Sequence, residues 1–245
     1  VADTLDGVNT SISSESRPMP EPPTPALLFD LDGTLIDSVY QHVIAWRNAL
    51  TVVGIDLSVW RIHRRIGMSG GLFVSALLRE TGVSLTPAEI EELQSLHARA
   101  YLEQVDSVRA LPGAADLLGF LTERGVPWAI ATSGRMKTAH SALAMLGLPE
   151  DTPMITRDMV RFAKPDPDLF LAAAALVGVE PRHAMVVGDS VWDLLAARRA
   201  GALGIGLQSG GYGREELERT GAFRVYTDPA DMLTRIDELG LRQTT

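Results

Sequence analysis

The stretch Ala26-Leu27-Leu28-Phe29-Asp30-Leu31-Asp32-Gly33-Thr34-Leu35 decides the fold. Four apolar residues run together and stop at two aspartates and a glycine. A short apolar run without polar alternation predicts a strand buried on both faces, as in a parallel sheet. Its C-terminal end then opens into a polar turn at Asp30, Asp32 and Gly33.

The same kind of run returns after Leu111-Pro112-Gly113, now alternating with helical spacing. A helix at about 113–124 leads to Trp128-Ala129-Ile130-Ala131, and one at about 136–146 to a weak strand at Met154-Ile155. A helix at about 166–177 precedes Ala184-Met185-Val186-Val187-Gly188, and one at about 191–200 precedes Leu203-Gly204-Ile205-Gly206-Leu207. A turn-rich stretch and a helix at about 229–239 close the domain. This alternation predicts an α/β fold: a Rossmann-like parallel sheet with helices on both faces.

Residues 37–110 have another character. Val39, Val43, Trp46, Leu50 and Val53, then Leu72, Phe73, Ala76 and Leu77, then Ile90, Leu93, Leu96 and Tyr101 recur at helical spacing. Thr86-Pro87-Ala88-Glu89 is a helix start, with Thr as cap and Pro in the first turn. The expected organisation is a catalytic core of 26–36 and 111–245 interrupted by a helical insertion at 37–110. Residues 1–25, rich in Ser, Pro and acids, are expected to form a flexible leader, because they bury too little surface to offset their ordering entropy. Asn9-Thr10-Ser11 matches a glycosylation sequon and is read as coincidence.

Composition narrows the function. A net charge of −9 and a pI near 5.0 disfavour nucleic acid and anionic membrane as partners. The chain has no cysteine, which excludes disulfides, thiolate metal sites and cysteine catalysis and is compatible with the cytoplasm. No apolar run approaches the roughly 20 residues that span a bilayer. No basic segment followed by an apolar one begins the chain, so no secretion signal is expected. The chain starts on Val1, and its start is expected to have been trimmed or altered.

In an open parallel sheet, ligands bind beyond the C-terminal strand ends. Those ends carry Asp30 and Asp32, then Thr132-Ser133-Gly134, then Gly188-Asp189-Ser190 with Asp193 one turn on, while Lys164 stands in a loop before a helix. Clustered carboxylates repel unless a hard cation offsets them, and Mg2+ takes carboxylates together with substrate phosphate. Asp30 can attack phosphorus. Asp32 can protonate the leaving oxygen and later deprotonate water, help typically worth ~10²–10⁴-fold. Lys164 and Thr132 can hold the equatorial oxygens. Taken singly, each has a structural reading: Asp32-Gly33 as a turn, Asp189-Ser190 as a helix cap, Asp193 as a first-turn acid and Ser133 as a loop hydroxyl.

With Asp30-Leu31-Asp32-Gly33-Thr34-Leu35, Thr132-Ser133, Lys164-Pro165 and Gly188-Asp189-Ser190-Val191-Trp192-Asp193 in order, the chain resembles the haloacid dehalogenase superfamily. The likeness is to the phosphoglycolate phosphatase and beta-phosphoglucomutase subgroup, whose helical cap follows the first strand, and it spans about 26–240. It implies a phosphatase with Asp30 as nucleophile, Asp32 as acid/base, Thr132, Ser133 and Gly134 binding phosphate, and Lys164 neutralising the phospho-aspartate. The implied Mg2+ ligands are Asp30, Asp32 through its main-chain carbonyl, Asp189, and Asp193 directly or through water. Residues 37–110 would close over the site and select the leaving group. Family dehalogenases lack the second aspartate, so Asp32 argues against dehalogenation. The expected substrate is a small phosphate monoester, such as a sugar phosphate or phosphoglycolate, and the expected state is a cytoplasmic monomer or homodimer.

A phosphomutase with the same chemistry and a non-catalytic binding module remain as alternatives. Within the insertion, Arg61, His63, Arg64 and Arg65 precede Ile66-Gly67-Met68-Ser69-Gly70-Gly71. Arg65 is the candidate for a second acidic group on the substrate, against a solvated basic face. His42 and His97 are read as surface or packing residues. Trp46, Trp60 and Trp128 are read as core or hinge packing. The glycine-rich run Gly206–Gly213 lacks the Lys-Ser/Thr of a P-loop and is read as a flexible loop near the site.

Overall fold

The computed structural model describes residues 25–241. The expected leader, apart from Pro25, and the sequon at Asn9 lie outside the described residues, as do 242–245. Along the chain run β1 (Ala26–Phe29), β2 (Ile36–Asp37), α1 (Val39–Val52), α2 (Val59–His63), α3 (Gly70–Thr81), α4 (Pro87–Leu102) and β3 (Arg109–Ala110). Then follow α5 (Ala114–Glu123), β4 (Trp128–Ala131), α6 (Met136–Met145), β5 (Met154–Ile155), α7 (Asp168–Leu176), β6 (Ala184–Gly188) and α8 (Val191–Ala200). The chain ends with β7 (Leu203–Leu207), α9 (Arg214–Thr220), β8 (Ala222–Tyr226) and α10 (Pro229–Thr234).

Six strands form one sheet in the order β5-β4-β1-β6-β7-β8, with every pairing parallel. β1 explains why its sequence is unbroken apolar. Leu27 and Phe29 belong to the apolar cluster that includes α5 and α6, while Ala26 and Leu28 belong to the one that includes α7 and α8. Each fully buried side chain of this size contributes ~1.5–3 kcal/mol.

β1 also fixes the place of the site. Phe29 is level with Ile130 of β4 and with Val187 of β6, so three strand ends emerge side by side. The chain leaves β1 for β4 on one side and later reaches β6 on the other. That reversal is the switch point at which an open α/β sheet forms its ligand crevice.

The inserted helices have a core of their own, with Val43, Trp46, Leu50, Ile62, Phe73, Leu77 and Leu93 in one buried cluster. The expected cap of α4 is present: Thr86 Oγ1 accepts from Glu89 N, and the Glu89 carboxylate accepts from Thr86 N. Both ends of the insertion are joined by the antiparallel pair β2–β3, with Ile36 opposite Ala110 and Asp37 opposite Arg109. No helix among the described residues is long and apolar enough to cross a membrane.

Two elements differ from the sequence reading. The turn-rich stretch after β7 contains α9 and the edge strand β8, whose Phe223 and Arg224 are exposed while Val225 and Tyr226 are buried. The closing helix is shorter than expected: α10 ends at Thr234, and a separate 3₁₀ turn covers Ile236–Leu239.

Candidate active site

β1 delivers Asp30 into the crevice, β6 delivers Asp189, and the first turn of α8 delivers Asp193. Oxygens of these three buried carboxylates lie within 4.8 Å of one another. Lys164 Nζ donates to Asp30 Oδ1 and stands 2.8 Å from Asp193 Oδ1, with its whole side chain buried. Asp193 also accepts at Oδ2 from the Ser190 amide (3.1 Å) and hydroxyl (2.5 Å), which caps α8. Thr34 Oγ1 donates to Asp189 Oδ1 at 3.2 Å.

Asp32 turns away from this cluster. Its Oδ1 accepts from Ser38 Oγ at 2.6 Å and meets His42 Nε2 at 3.2 Å. The two aspartates of the first motif therefore occupy different electrostatic settings. Burial, then Asp193 and Asp32, push Asp30 up to about 7 against the opposing pull of Lys164. Burial likewise raises Asp189 well above the usual range, with Asp193 and Asp30 adding to it. Burial also acts to raise Asp32, but His42, Ser38 and Lys164 outweigh it, and its pKa is lowered. Burial acts to lower Lys164, but Asp193 and Asp30 reverse this and raise it. Three acids against one base, with two of the acids holding their protons tightly, fit a site that takes a divalent cation.

Above the carboxylates lies a cavity of about 410 Å³, walled by Asp30, Asp32 and Thr132 below and by Trp46, Phe73 and His97 of the insertion above. Thr132 Oγ1 accepts from Gly134 N at 2.9 Å, which shapes the loop after β4. Ser133 and Gly134 are in the cavity wall, but Ser133 Oγ donates to Gly67 O of the insertion at 3.0 Å. Arg65 also reaches the wall, where its guanidinium is held by Glu80 and by the Arg61 carbonyl.

Two residues read as surface or packing groups, His42 and His97, also line this cavity. His42 contacts Asp32, and its Nδ1 lies 3.2 Å from His97 Nε2. His42 stacks on Tyr101 and His97 on Trp46, with ring centroids 4.0 and 4.1 Å apart. Burial, then the neighbouring His42, hold the His97 pKa well below its usual range. Ser38 and His42, four apart at the start of the helix that leaves the first motif, share one helix face, and the fold turns that face to Asp32.

This site, on this sheet, places the chain in a known class. A family profile described as haloacid dehalogenase-like hydrolase matches residues 24–201, and the chain belongs to that family. Among curated relatives, hexitol phosphatase A of Escherichia coli (strain K12) is 34% identical over 176 residues, 71% of this chain and 78% of that protein. Among solved structures, a hydrolase from Pseudomonas syringae is 52% identical with a TM-score of 0.86, covering 88% of this chain and 99% of that one. A beta-phosphoglucomutase from Clostridium difficile matches at TM-score 0.74 and 22% identity over 89% of this chain and 99% of that one; the likeness is one of fold.

Proposed function

We propose that the chain is a Mg2+-dependent, cytoplasmic phosphatase that acts on a small phosphorylated metabolite, such as a sugar phosphate or phosphoglycolate, through a phospho-aspartate on Asp30. One observation carries this reading: Asp30 is buried on Lys164 at the focus of three strand ends, with Asp32 two residues on against the same cavity. The cavity of about 410 Å³ is within the usual range for small-ligand sites.

A carboxylate oxygen of Asp30 attacks phosphorus, and the bond to the leaving oxygen breaks. Asp32 supplies the proton that the leaving alkoxide needs. Its carboxylate is ionised in the free site; the approach of phosphate charge raises its hold on a proton, which it takes up from solvent or from the substrate monoanion and then passes to the leaving oxygen. In the second half Asp32 takes a proton from water, which attacks the phosphoryl group and restores Asp30. Lys164 offsets the charge on Asp30 and on the phosphoryl oxygens, and Thr132 with the main-chain amides of its loop orients them. The carboxylates of Asp30 and Asp189, the main-chain carbonyl of Asp32, and Asp193 directly or through water would hold Mg2+, which supplies charge neutralisation for the phosphoryl group when bound. Residues 37–110 act as the cap that shields the site and selects the leaving group.

The assay is phosphate release from a panel of phosphorylated metabolites with and without Mg2+. Release that requires Mg2+ and vanishes in Asp30→Asn is expected. Equal, metal-independent release by that variant overturns the reading. Isomerised sugar phosphate with negligible free phosphate would assign the same chemistry to a phosphomutase.

A further inference from the structure

At the end of α2 the basic residues divide: Arg61 and Arg65 pair with Glu80, while His63 and Arg64 grip the loop between β7 and α9 together with the start of α9. His63 Nε2 donates to the Gly210 carbonyl at 2.7 Å. Its ring stacks on Tyr40, with planes 6° apart and centroids 5.4 Å apart, and leans on Tyr212 at 5.7 Å. The Arg64 carbonyl accepts from Tyr212 Oη (3.0 Å) and from Trp192 Nε1 (3.2 Å). The Arg64 guanidinium lies 4.3 Å from the Tyr212 ring centroid and pairs with Glu216.

The far side of that loop is pressed on the carboxylate cluster. A Cβ on Gly210 would fall 1.7 Å from Asp189 Oδ2. Gly211, at φ +90°, could not carry one either, because it would meet Tyr40 Oη at 2.8 Å and His63 Nε2 at 2.9 Å. Ser209 Oγ donates to Gly33 O at 2.6 Å, tying the loop to the turn after Asp32. One peptide therefore separates the His63 imidazole from the Asp189 carboxylate. Neither glycine has room for a side chain.

We infer that this loop is a clasp through which the seating of the helical insertion is passed to Asp189, with His63 as the positioning residue. When the insertion is seated, His63 draws on the Gly210 carbonyl, and the loop holds the Asp189 carboxylate in the crevice. When it lifts, Gly210 loses that support and Asp189 gains freedom. The inference rests on the reading of Asp189 as a metal carboxylate. Linkage makes the effect mutual: a cation that prefers the held carboxylate favours the seated insertion by the same factor.

The natural lack of cysteine allows a clean test. Spin labels on Glu91→Cys in α4 and Lys137→Cys in α6, both exposed positions, report the distance between insertion and core by pulsed electron resonance. Calorimetric titration with MgCl2 gives the cation affinity without turnover. His63→Phe keeps the stacking but removes the donor. It is expected to broaden the distance distribution and weaken Mg2+ binding about 5- to 10-fold, the scale of one lost hydrogen bond. His63→Gln, which can still donate to Gly210, restores much of both. Glu216→Gln loosens the clasp at an exposed pair that does not endanger folding, and moves both readouts in the same direction by less.

An unchanged Mg2+ affinity in His63→Phe, with the labels separated, overturns the coupling. So does an unchanged distance distribution in both His63→Phe and Glu216→Gln. Failure of the unsubstituted protein to bind Mg2+ overturns the metal reading and the coupling with it, an outcome visible before any clasp variant is made.

Discussion

Charged side chains gather on both sides of the cavity, and the two gatherings are built differently. At the strand ends, Asp30, Asp189 and Asp193 are buried around the single ammonium of Lys164. In the insertion, Arg61 and Arg65 share Glu80, and Arg64 pairs with Glu216 across to the core. These arginines are partly exposed and matched by carboxylates or carbonyls. A matched, solvated set is structurally content and holds parts together. A buried set with more acids than bases has raised proton affinities and room for a cation and a phosphoryl group. Local density of charge in a sequence does not separate these cases; burial and pairing do.

Substitutions at the two places should therefore differ in scale. The largest loss is expected for Asp30→Asn, which removes the attacking oxygen's charge; phosphate release should fall by at least ~10³-fold while the protein remains folded. Loss of less than ~10-fold would mean that the strand-end cluster is not where the chemistry happens. Next comes Lys164→Met, which leaves Asp30 and Asp193 buried without their cation. Removing one partner of a buried pair costs ~3–5 kcal/mol, readable as a shift of the urea midpoint. The same truncation at Arg64, in its half-exposed pair, should cost ~1 kcal/mol or less.

His42→Phe probes the boundary between the two regions, since His42 sits on the insertion's first helix but touches Asp32. A hydrogen bond to a charged group is worth about 1.5–3 kcal/mol, so kcat for an alkyl phosphate should fall roughly 10- to 100-fold. Hydrolysis of p-nitrophenyl phosphate, whose leaving group needs little protonation, should fall much less. Equal losses on both substrates would place His42 outside the proton-transfer step.

The pH dependence follows from the raised carboxyls. Without metal, burial and the neighbouring acids push Asp30 up to about 7 and Asp189 well above its usual range, so the folded state binds protons more tightly than the unfolded chain. Stability then falls as pH rises from the ordinary carboxylate range through about 7. Thermal midpoints in EDTA should drop by several degrees between pH 5 and pH 8, and Mg2+ should stabilise more at pH 8, where it has fewer protons to displace. A flat profile in EDTA, or a larger Mg2+ effect at pH 5, would contradict the crowding of these acids.

The core was legible because β1, β4 and β6 are short apolar runs that end in chemistry, and they are level at Phe29, Ile130 and Val187. β8 was less visible because only one end of it is buried, so half its residues look like a loop. The contact of His42 with Asp32 was hidden for a different reason. Helical spacing shows which residues share a face, but the face of α1 that begins under Asp32 is set by the tertiary path of the chain out of β1. His63 and Arg65 were grouped by proximity in sequence, although one turns to Gly210 and the other to Glu80. Partner choice over 147 and 15 positions respectively leaves no local trace.

The smallest effect tests whether the insertion's cluster is held only by its own pairing. Arg65 reaches the cavity wall but is committed to Glu80, which it shares with Arg61. Glu80→Gln removes that claim without touching any strand-end residue. The freed guanidinium would then be offered to a second anionic group, and KM for a substrate with such a group, phosphoglycolate or a sugar bisphosphate, should fall about 2- to 5-fold. That is the scale of one partly exposed ion pair, up to ~1 kcal/mol. KM for a hexose monophosphate should hold steady or rise slightly, since its far end has no charge to meet. If the two classes of substrate shift together, Arg65 is not what Glu80 restrains, and the division between a matched insertion and an unmatched strand-end cluster must be redrawn at the cavity wall.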